Sequence, residues 1–290
     1  MHSLILDSPA KLNLILRILR RQIDGYHRLC TLFHRISLRD TLRLTKRKKG
    51  IRLVCSHPQV PCKDNLIVRA YTLLKERRPS LAGVDVRLTK RIPVGGGLGG
   101  GSSNAAFFLI GMNRLYRLRL TKKELFTLGR KLGADVPFFL SGARHALGTG
   151  RGDRIRAVPF KRKLWFLLLT DPRGLSTRAV YQGLGPRERQ ASLTRGIHNV
   201  RMTSAFLEKG ILEEVRVLLR NDLEKSAGRL RPPLRKRLEN LRELQLGHWQ
   251  MSGSGPTLYS IFPSRREALQ NLQKLRHHSF SGTFFVCHTF

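Results

Sequence analysis

The sequence predicts an α+β protein built as two domains, and three observations carry that reading. The chain has 290 residues, about right for two domains of ~100–200 residues each. Strand-like and helix-like periods interleave along it without strict βαβ alternation. The texture changes near the loop Gly148-Thr-Gly-Arg-Gly-Asp153, which sets the expected boundary between residues 1–153 and 154–290. Apolar residues make up 41% of the chain, enough to fill a core, so wholesale disorder is excluded.

The elements follow in order. Lys11-Leu-Asn-Leu-Ile-Leu-Arg-Ile18 alternates with a period of two and reads as a strand. That period puts Leu12, Leu14 and Leu16 on one face and Lys11, Asn13, Ile15 and Arg17 on the other. Asp24-Gly25 is a turn signal, and further strands are expected at 29–38, 41–46, 51–55 and 84–89. Asn65–Glu76 spaces Leu66, Ala70, Leu73 and Leu74 helically and is ended by Pro79. A second helix over Ser102–Leu115 repeats Ala105, Phe108, Leu109 and Met112 at the same interval. Thr121-Lys-Lys-Glu124 is a capping box that opens a third helix through Leu125, Leu128 and Leu132, closed by Gly133. The second half offers strands at 164–170, 248–252, 257–262 and 282–288, and helices at 176–183, 203–219, 233–244 and 264–276. Another capping box, Ser264-Arg-Arg-Glu267, opens the last of these helices.

Composition excludes several classes. No run approaches the ~20 apolar residues of a membrane helix, Leu164–Thr170 being strand-sized, and Met1–Leu6 is too short for a signal peptide. The cysteines Cys30, Cys55, Cys62 and Cys287 show no C-x2-C zinc spacing, so reduced thiols in a cytoplasmic protein are expected. Fifty-five Lys and Arg against nineteen Asp and Glu give a net charge of +36. Such a balance favours polyanionic partners. The charge is spread along the chain, with its longest runs at Lys46–Lys49 and Lys161–Lys163, and is read mainly as solvated surface with nonspecific polyanion affinity left open.

Chemistry concentrates in Pro93-Val-Gly-Gly-Gly-Leu-Gly-Gly-Gly-Ser-Ser-Asn104, between a strand and a helix; six of the seven residues 95–101 are glycine. Glycine lets the main chain approach a ligand closely, and successive N–H groups beside a helix N-terminus converge on an anion. The segment reads as a phosphate loop. It carries no Gly-Lys-Ser/Thr of a Walker A loop, no ribose-binding acid at dinucleotide spacing and no protein-kinase signatures. It matches the P-x-G-x-G-L-x-S-S form, in which the sequence resembles the GHMP small-molecule kinases. Ser8-Pro-Ala-Lys-Leu-Asn-Leu14, Asp24-Gly-Tyr-His27, Asp64-Asn-Leu-Ile67, the glycine loop, Leu132-Gly-Ala-Asp-Val-Pro137, Asn221-Asp-Leu-Glu224 and Ser252-Gly-Ser-Gly-Pro256 follow in order. Together they are similar to the branch of that family acting on 4-diphosphocytidyl-2-C-methyl-D-erythritol in the non-mevalonate isoprenoid route. The resemblance covers residues 8 to about 262.

The resemblance implies a ribosomal S5 domain 2-like N-terminal half that carries ATP and a ferredoxin-like C-terminal half. It implies transfer of the ATP γ-phosphoryl group to the 2-hydroxyl of the cytidylated acceptor, with Lys11 and Asp135 as the catalytic residues. Residue chemistry agrees: a base must accept the hydroxyl proton and a cation must offset charge on the transferring group. Asp135 precedes a helical turn containing Pro137, and a helix N-terminus favours its ionised form. ATP is assigned to Pro93, Val94, Gly95, Gly96, Gly97, Leu98, Gly99, Gly100, Gly101, Ser102 and Ser103, with Asn65 and Leu66 at the adenine end and Lys90 nearby. The acceptor is assigned to Tyr26 and His27 at its cytidine end, to Tyr181 on the opposite side of the cytosine, and to Asn13 and Thr177 as hydrogen-bonding partners. Gly253, Ser254 and Gly255 form a third motif closing over the loop. No acidic cluster for Mg²⁺ is visible, so the metal is expected to ride on the ATP phosphates with help from a loop serine. Asp153 stands where relatives usually carry Glu. A monomer or weak homodimer is expected. The alternatives are a GHMP kinase for homoserine or mevalonate, and a basic RNA-binding protein that has lost catalysis.

Overall fold

The computed structural model describes residues 3–21, 27–61, 64–185, 191–278 and 280–290. Contacts divide the chain into two compact units that interleave in sequence. Unit 1 takes Met1–Ala10, Leu38–Val94 and Gly99–Ala143; unit 2 takes Lys11–Ser37, Gly95–Leu98 and Arg144–Phe290. The interleaving arises because two long strands, β1 (Ser3–Arg21) and β2 (His27–Arg47), run from one unit into the other. The stretches expected as separate strands at 29–38 and 41–46 are therefore one strand. No glycine or proline interrupts Leu38-Arg39-Asp40, and the alternation continues through it.

In unit 1 the later part of β2 pairs antiparallel with β4 (Gly83–Thr89), which pairs parallel with β3 (Ile51–Cys55) on its other edge. Leu42, Leu44, Val84, Val86 and Leu88 are buried, while Arg43 and Arg87 on the opposite phase are exposed. Helices α1 (Leu66–Arg77), α2 (Gly100–Leu115), α3 (Lys122–Leu132) and α4 (Val136–Leu140) supply the rest of this core. Phe108, Leu109, Met112, Leu74 and Phe138 are all at zero exposure, and truncating such a side chain to alanine costs about 2–5 kcal/mol. The start of α3 has both halves of its capping box, Thr121 and Glu124 each bonding the other's backbone N–H.

In unit 2, β7 (Trp165–Thr170), β9 (Gln250–Met251), β10 (Leu258–Phe262) and β11 (Thr283–His288) form an antiparallel sheet in the order β11-β7-β10-β9. Helices α5 (Thr177–Gln182) to α9 (Pro232–Glu243) lie in the chain between β7 and β9, and α10 (Arg265–Arg276) between β10 and β11. This is the split βαβ pattern of a ferredoxin-like fold. Trp249, Leu167, Leu169, Leu238, Leu241, Met251 and Leu275 share its core.

The expected helix over 203–219 is two helices. Helix α6 (Leu193–Lys209) starts ten residues earlier, where Ser192 accepts a hydrogen bond from Arg195 N, and ends at Gly210 in the left-handed region, φ 79°. Helix α7 (Leu212–Leu218) follows. Sequence periodicity also gave no sign of β5 (His145–Thr149) and β6 (Arg154–Ala157), a hairpin around the Gly148–Asp153 loop, nor of β8 (Arg220–Asn221) and α8 (Glu224–Leu230).

Candidate active site

Three of the singled-out segments converge inside unit 2. Lys11 sits on β1 with 3% exposure; its backbone N–H donates to Leu98 O at 3.0 Å, and its Nζ donates to Gly97 O at 3.1 Å and to Asn13 Oδ1. Asn13 Nδ2 in turn donates to Thr31 Oγ1 at 2.7 Å, and Thr31 Oγ1 donates to Ile15 O at 2.7 Å. The odd phase of β1 thus carries a polar row whose Asn13 carboxamide orients the Lys11 amine. The phenol of Tyr259 donates to Asn13 O at 3.1 Å; burial, then the Glu224 charge, holds its pKa well above the ordinary value, so it stays a donor.

The glycine loop and the third motif meet backbone to backbone. Gly97 (φ 74°) lies so close to the turn after β9 that a Cβ there would come within 2.3 Å of Ser252 O. Reciprocally, a Cβ on Gly253 (φ 57°) would lie 2.9 Å from Gly97 O, 3.1 Å from Asn13 Oδ1 and 3.2 Å from Lys11 Nζ. Only glycine satisfies both the left-handed backbone and this proximity. Ser252 Oγ donates to Gly97 O at 3.3 Å, and Thr257 N to Gly96 O at 3.3 Å.

Asn221, from the Asn221-Asp-Leu-Glu224 motif, braces that turn. Its Nδ2 donates to Met251 O at 2.8 Å and Gly253 O at 2.7 Å, while its Oδ1 accepts from Leu223 N at 2.9 Å. The next motif residue, Asp222, accepts from Arg17 Nε, Arg220 Nε and Ile18 N, and Glu224 accepts from Met251 N at 3.3 Å.

In unit 1 the lead-in to the glycine loop hangs on Asp40, a residue the sequence reading passed over. Its carboxylate has zero exposure and accepts from Arg91 N at 2.7 Å, Ile92 N at 2.9 Å, Asn104 Nδ2 at 2.9 Å and Lys90 Nζ. One side chain on β2 thereby ties the residues just before Pro93 to the first turns of α2. Asn104 also donates to Ser8 Oγ at 3.0 Å, and Ser8 Oγ donates to Ser103 Oγ at 2.8 Å, so the Ser103 hydroxyl belongs to this buried network. The other loop serine, Ser102, is half-buried. Gly99 is the left-handed N-cap of α2 (φ 69°), with Gly100 and Gly101 opening the helix. Pro93 and Val94 are half-buried. Phase was the available signal for Asp40: it shares the even positions of β2 with the inward-facing Leu42 and Leu44.

Asp135 occupies the N-cap position of α4, with Pro137 in the first turn, yet its carboxylate makes no capping hydrogen bond. Asn65 does cap its helix: Oδ1 accepts from Ile67 N at 3.0 Å, with Leu66 as the first helical residue. Thr177 Oγ1 bonds Ser254 Oγ at 2.8 Å and shares one face of α5 with Tyr181, four residues on. The Tyr181 ring meets the His27 ring with centroids 5.8 Å apart and planes at 37°. Tyr26 lies outside the described residues. Among those described, no group of three or more His, Cys, Asp or Glu is arranged to hold a metal ion.

The split βαβ sheet of unit 2 and the glycine-rich loop opening α2 fit the class of GHMP-type kinases. The models for the GHMP kinases N terminal domain and the GHMP kinases C terminal match residues 65–143 and 202–279. The chain is 38% identical over 262 residues to the 4-diphosphocytidyl-2-C-methyl-D-erythritol kinase of Syntrophus aciditrophicus (strain SB), covering 90% of each protein. Among solved structures it matches a 4-(cytidine 5'-diphospho)-2C-methyl-D-erythritol kinase with TM-score 0.81 and 32% identity over 98% of each chain. The mevalonate kinase of L. major matches in fold alone, with TM-score 0.74 at 15% identity over 99% of this chain and 96% of that one. The chain belongs to the 4-diphosphocytidyl-2-C-methyl-D-erythritol kinase family.

Proposed function

We propose that the chain transfers the γ-phosphoryl group of ATP to the 2-hydroxyl of 4-diphosphocytidyl-2-C-methyl-D-erythritol, giving the 2-phosphate and ADP for isoprenoid precursor synthesis. The observation that carries this reading is the unit 2 arrangement, in which a buried lysine amine held by Asn13 rests on the carbonyl of Gly97 inside a glycine loop. Loop N–H groups and the α2 N-terminus take the triphosphate, and Lys11 offsets charge on the group in transfer. Asp135, at the N-cap position of α4, is assigned to take the proton of the incoming hydroxyl. No covalent enzyme intermediate is required.

Mg²⁺ supplies charge neutralisation on the phosphates when bound, and with no acidic cluster among the described residues, Ser102 is the side chain assigned to meet it. His27 and Tyr181, already in ring contact, suit a flat pyrimidine, Tyr26 being assigned beside them by resemblance. Thr177 serves the acceptor from α5, and Asn13 through its hold on Lys11. Asn65 and Leu66 are assigned to the adenine end from the start of α1.

Purified protein given Mg-ATP should form ADP only when the cytidylated acceptor is present, and CMP or CDP should compete. Asp135→Asn should abolish turnover while leaving ATP affinity within a few-fold. Turnover on homoserine or mevalonate, or retained turnover in the variant, would overturn the assignment.

A further inference from the structure

The three strands β2, β4 and β3 of unit 1 bury one face and leave the other open to solvent, and that open face is a row of arginines. Along β2 the outward phase reads Arg39, Thr41, Arg43, Thr45, Arg47, against buried Asp40, Leu42 and Leu44. Arg43 stands directly across from Arg87 on β4, and Val54 of β3 is next in line; one step on, Thr45 faces Asp85, which faces Arg52. Five guanidiniums share two carboxylates: Arg39 pairs with Asp7 at 3.1 Å, while Arg47 and Arg52 both reach Asp85, at 3.1 and 2.8 Å. The face therefore carries five positive and two negative charges, net +3. Arg43 and Arg87, both exposed, have no carboxylate partner among the described residues.

Like charges directly opposite on paired strands destabilise a sheet, so this cross-strand arginine pair works against folding unless an anion neutralises it. The row continues beyond β2 into Lys48 and Lys49. There Arg47 Nε donates to Lys49 O at 3.0 Å and Gly83 N to Lys48 O at 3.4 Å, which orders the turn and fixes the exposed Lys48 and Lys49. From Arg39 to Arg47 the cations span eight residues of strand, roughly 26 Å. A planar guanidinium binds phosphate bidentately, and an extended row of them matches a polyanion of regular charge spacing.

We propose that this face docks the phosphodiester backbone of a nucleic acid duplex. None of the outward residues named is aromatic, so bases have nothing to stack on and the contact is to backbone, without sequence preference. The apolar side chains exposed nearby, Ile5 and Val54, lie on different strands and form no contiguous wedge of the kind a membrane surface requires.

The test uses the whole chain, with a short labelled DNA duplex and the RNA duplex of the same sequence, titrated by anisotropy over a range of salt. Removing two phosphate contacts with Arg43→Gln/Arg87→Gln should lower the slope of log K against log salt by about 1.8, two contacts at ~0.9 each. Loss with both duplexes, or with one of them, supports the site and identifies its source. The same charge change on α10, Arg265→Gln/Arg266→Gln, should leave the slope unchanged; an equal drop would show net charge alone at work and overturn the proposal. So would a variant that loses binding to phosphatidylglycerol vesicles but not to the duplexes. Arg43→Lys/Arg87→Lys should retain the slope. The Gln variant should keep full kinase activity and melt no lower than the parent.

Discussion

Acidification acts on two imidazoles sealed inside unit 2. His34 and His145 have 0% and 1% exposure and lie Nδ1 to Nδ1 at 2.9 Å, packed against Phe160. Their neighbours dictate the protons. The Ser204 hydroxyl donates to Val200 O at 2.7 Å, so it accepts from His145 Nε2–H at 3.0 Å. His145 Nδ1 is then an acceptor, to which His34 Nδ1–H donates, while Thr289 Oγ1, accepting from Leu164 N, donates to His34 Nε2 at 3.1 Å. Every proton in this chain is committed with both rings neutral: charging His145 sets its Nδ1–H against the Nδ1–H of His34, and charging His34 sets its Nε2–H against the donating Thr289 hydroxyl. Burial brings the pKa of His145 down to about 3, and burial reinforced by His145 carries that of His34 well below 6.5.

A histidine depressed in the fold leaves stability intact above the unfolded value of 6.5 and removes it as pH falls through and below that value, because only the unfolded chain takes up protons. Between about pH 7 and pH 5 each buried imidazole costs about 2 kcal/mol, so the pair costs about 4 kcal/mol, with a slope approaching ~2.7 kcal/mol per pH unit. The loss continues until the native rings themselves titrate, near 3 for His145. Urea unfolding at stepped pH measures it, with kinase activity at neutral pH as the check on folding. His145→Gln should lower the slope by about 1.4 kcal/mol per pH unit, the share of one imidazole. His248, also lowered by burial, acts in the same direction in both proteins and cancels in the comparison. A parent that loses less than about 1 kcal/mol over this range, or a variant with an unchanged slope, refutes the reasoning.

Removing the Asp40 carboxylate with Asp40→Ala strands the Lys90 amine, whose side chain is 5% exposed, and should cost about 3–5 kcal/mol in chemical denaturation. Gly97→Ala places a Cβ within 2.3 Å of Ser252 O at a left-handed φ, and should lower kcat/KM for ATP at least tenfold while secondary structure by circular dichroism is unchanged. Asn221→Asp removes both donated bonds to Met251 O and Gly253 O and sets a carboxylate against two carbonyls; a loss of roughly 2–4 kcal/mol in urea unfolding is expected, with a fall in kcat.

The parts legible in the sequence were those whose physics is local. A period of two placed Lys11 and Asn13 on one face of a strand, and they are in contact there. A glycine run between a strand and a helix became a loop opening a helix, and Thr121 with Glu124 capped as their spacing requires. What was hidden depends on partners far along the chain. Asp40 bonds groups 51, 52 and 64 residues away, and Asn221 bonds carbonyls 30 and 32 residues away. Nothing beside either residue announces those partners. The division of helix 203–219 was a local error, since Gly210 marked the break and was read through.

The charge imbalance and the placement of the acids explain each other. With 19 carboxylates against 55 bases, an isolated surface carboxylate does little, because exposed pairs contribute only ~0–1 kcal/mol and are screened by salt. A buried carboxylate serving several donors cannot be replaced so cheaply, since its loss leaves all of them unpaired at once. Buried acids here have that character. Asp40 holds two backbone N–H groups, a lysine and an asparagine; Asp171 takes Arg173 N and Arg237; Asp222 takes Arg17, Arg220 and Ile18 N. Two of these nodes adjoin the glycine loop and the turn packed on Lys11. Basic residues can therefore accumulate over the exposed faces without touching the groups that set the site's geometry. Where they accumulate on an uncovered sheet with two acids to share, the surface gains an affinity for phosphate that the kinase chemistry neither needs nor opposes.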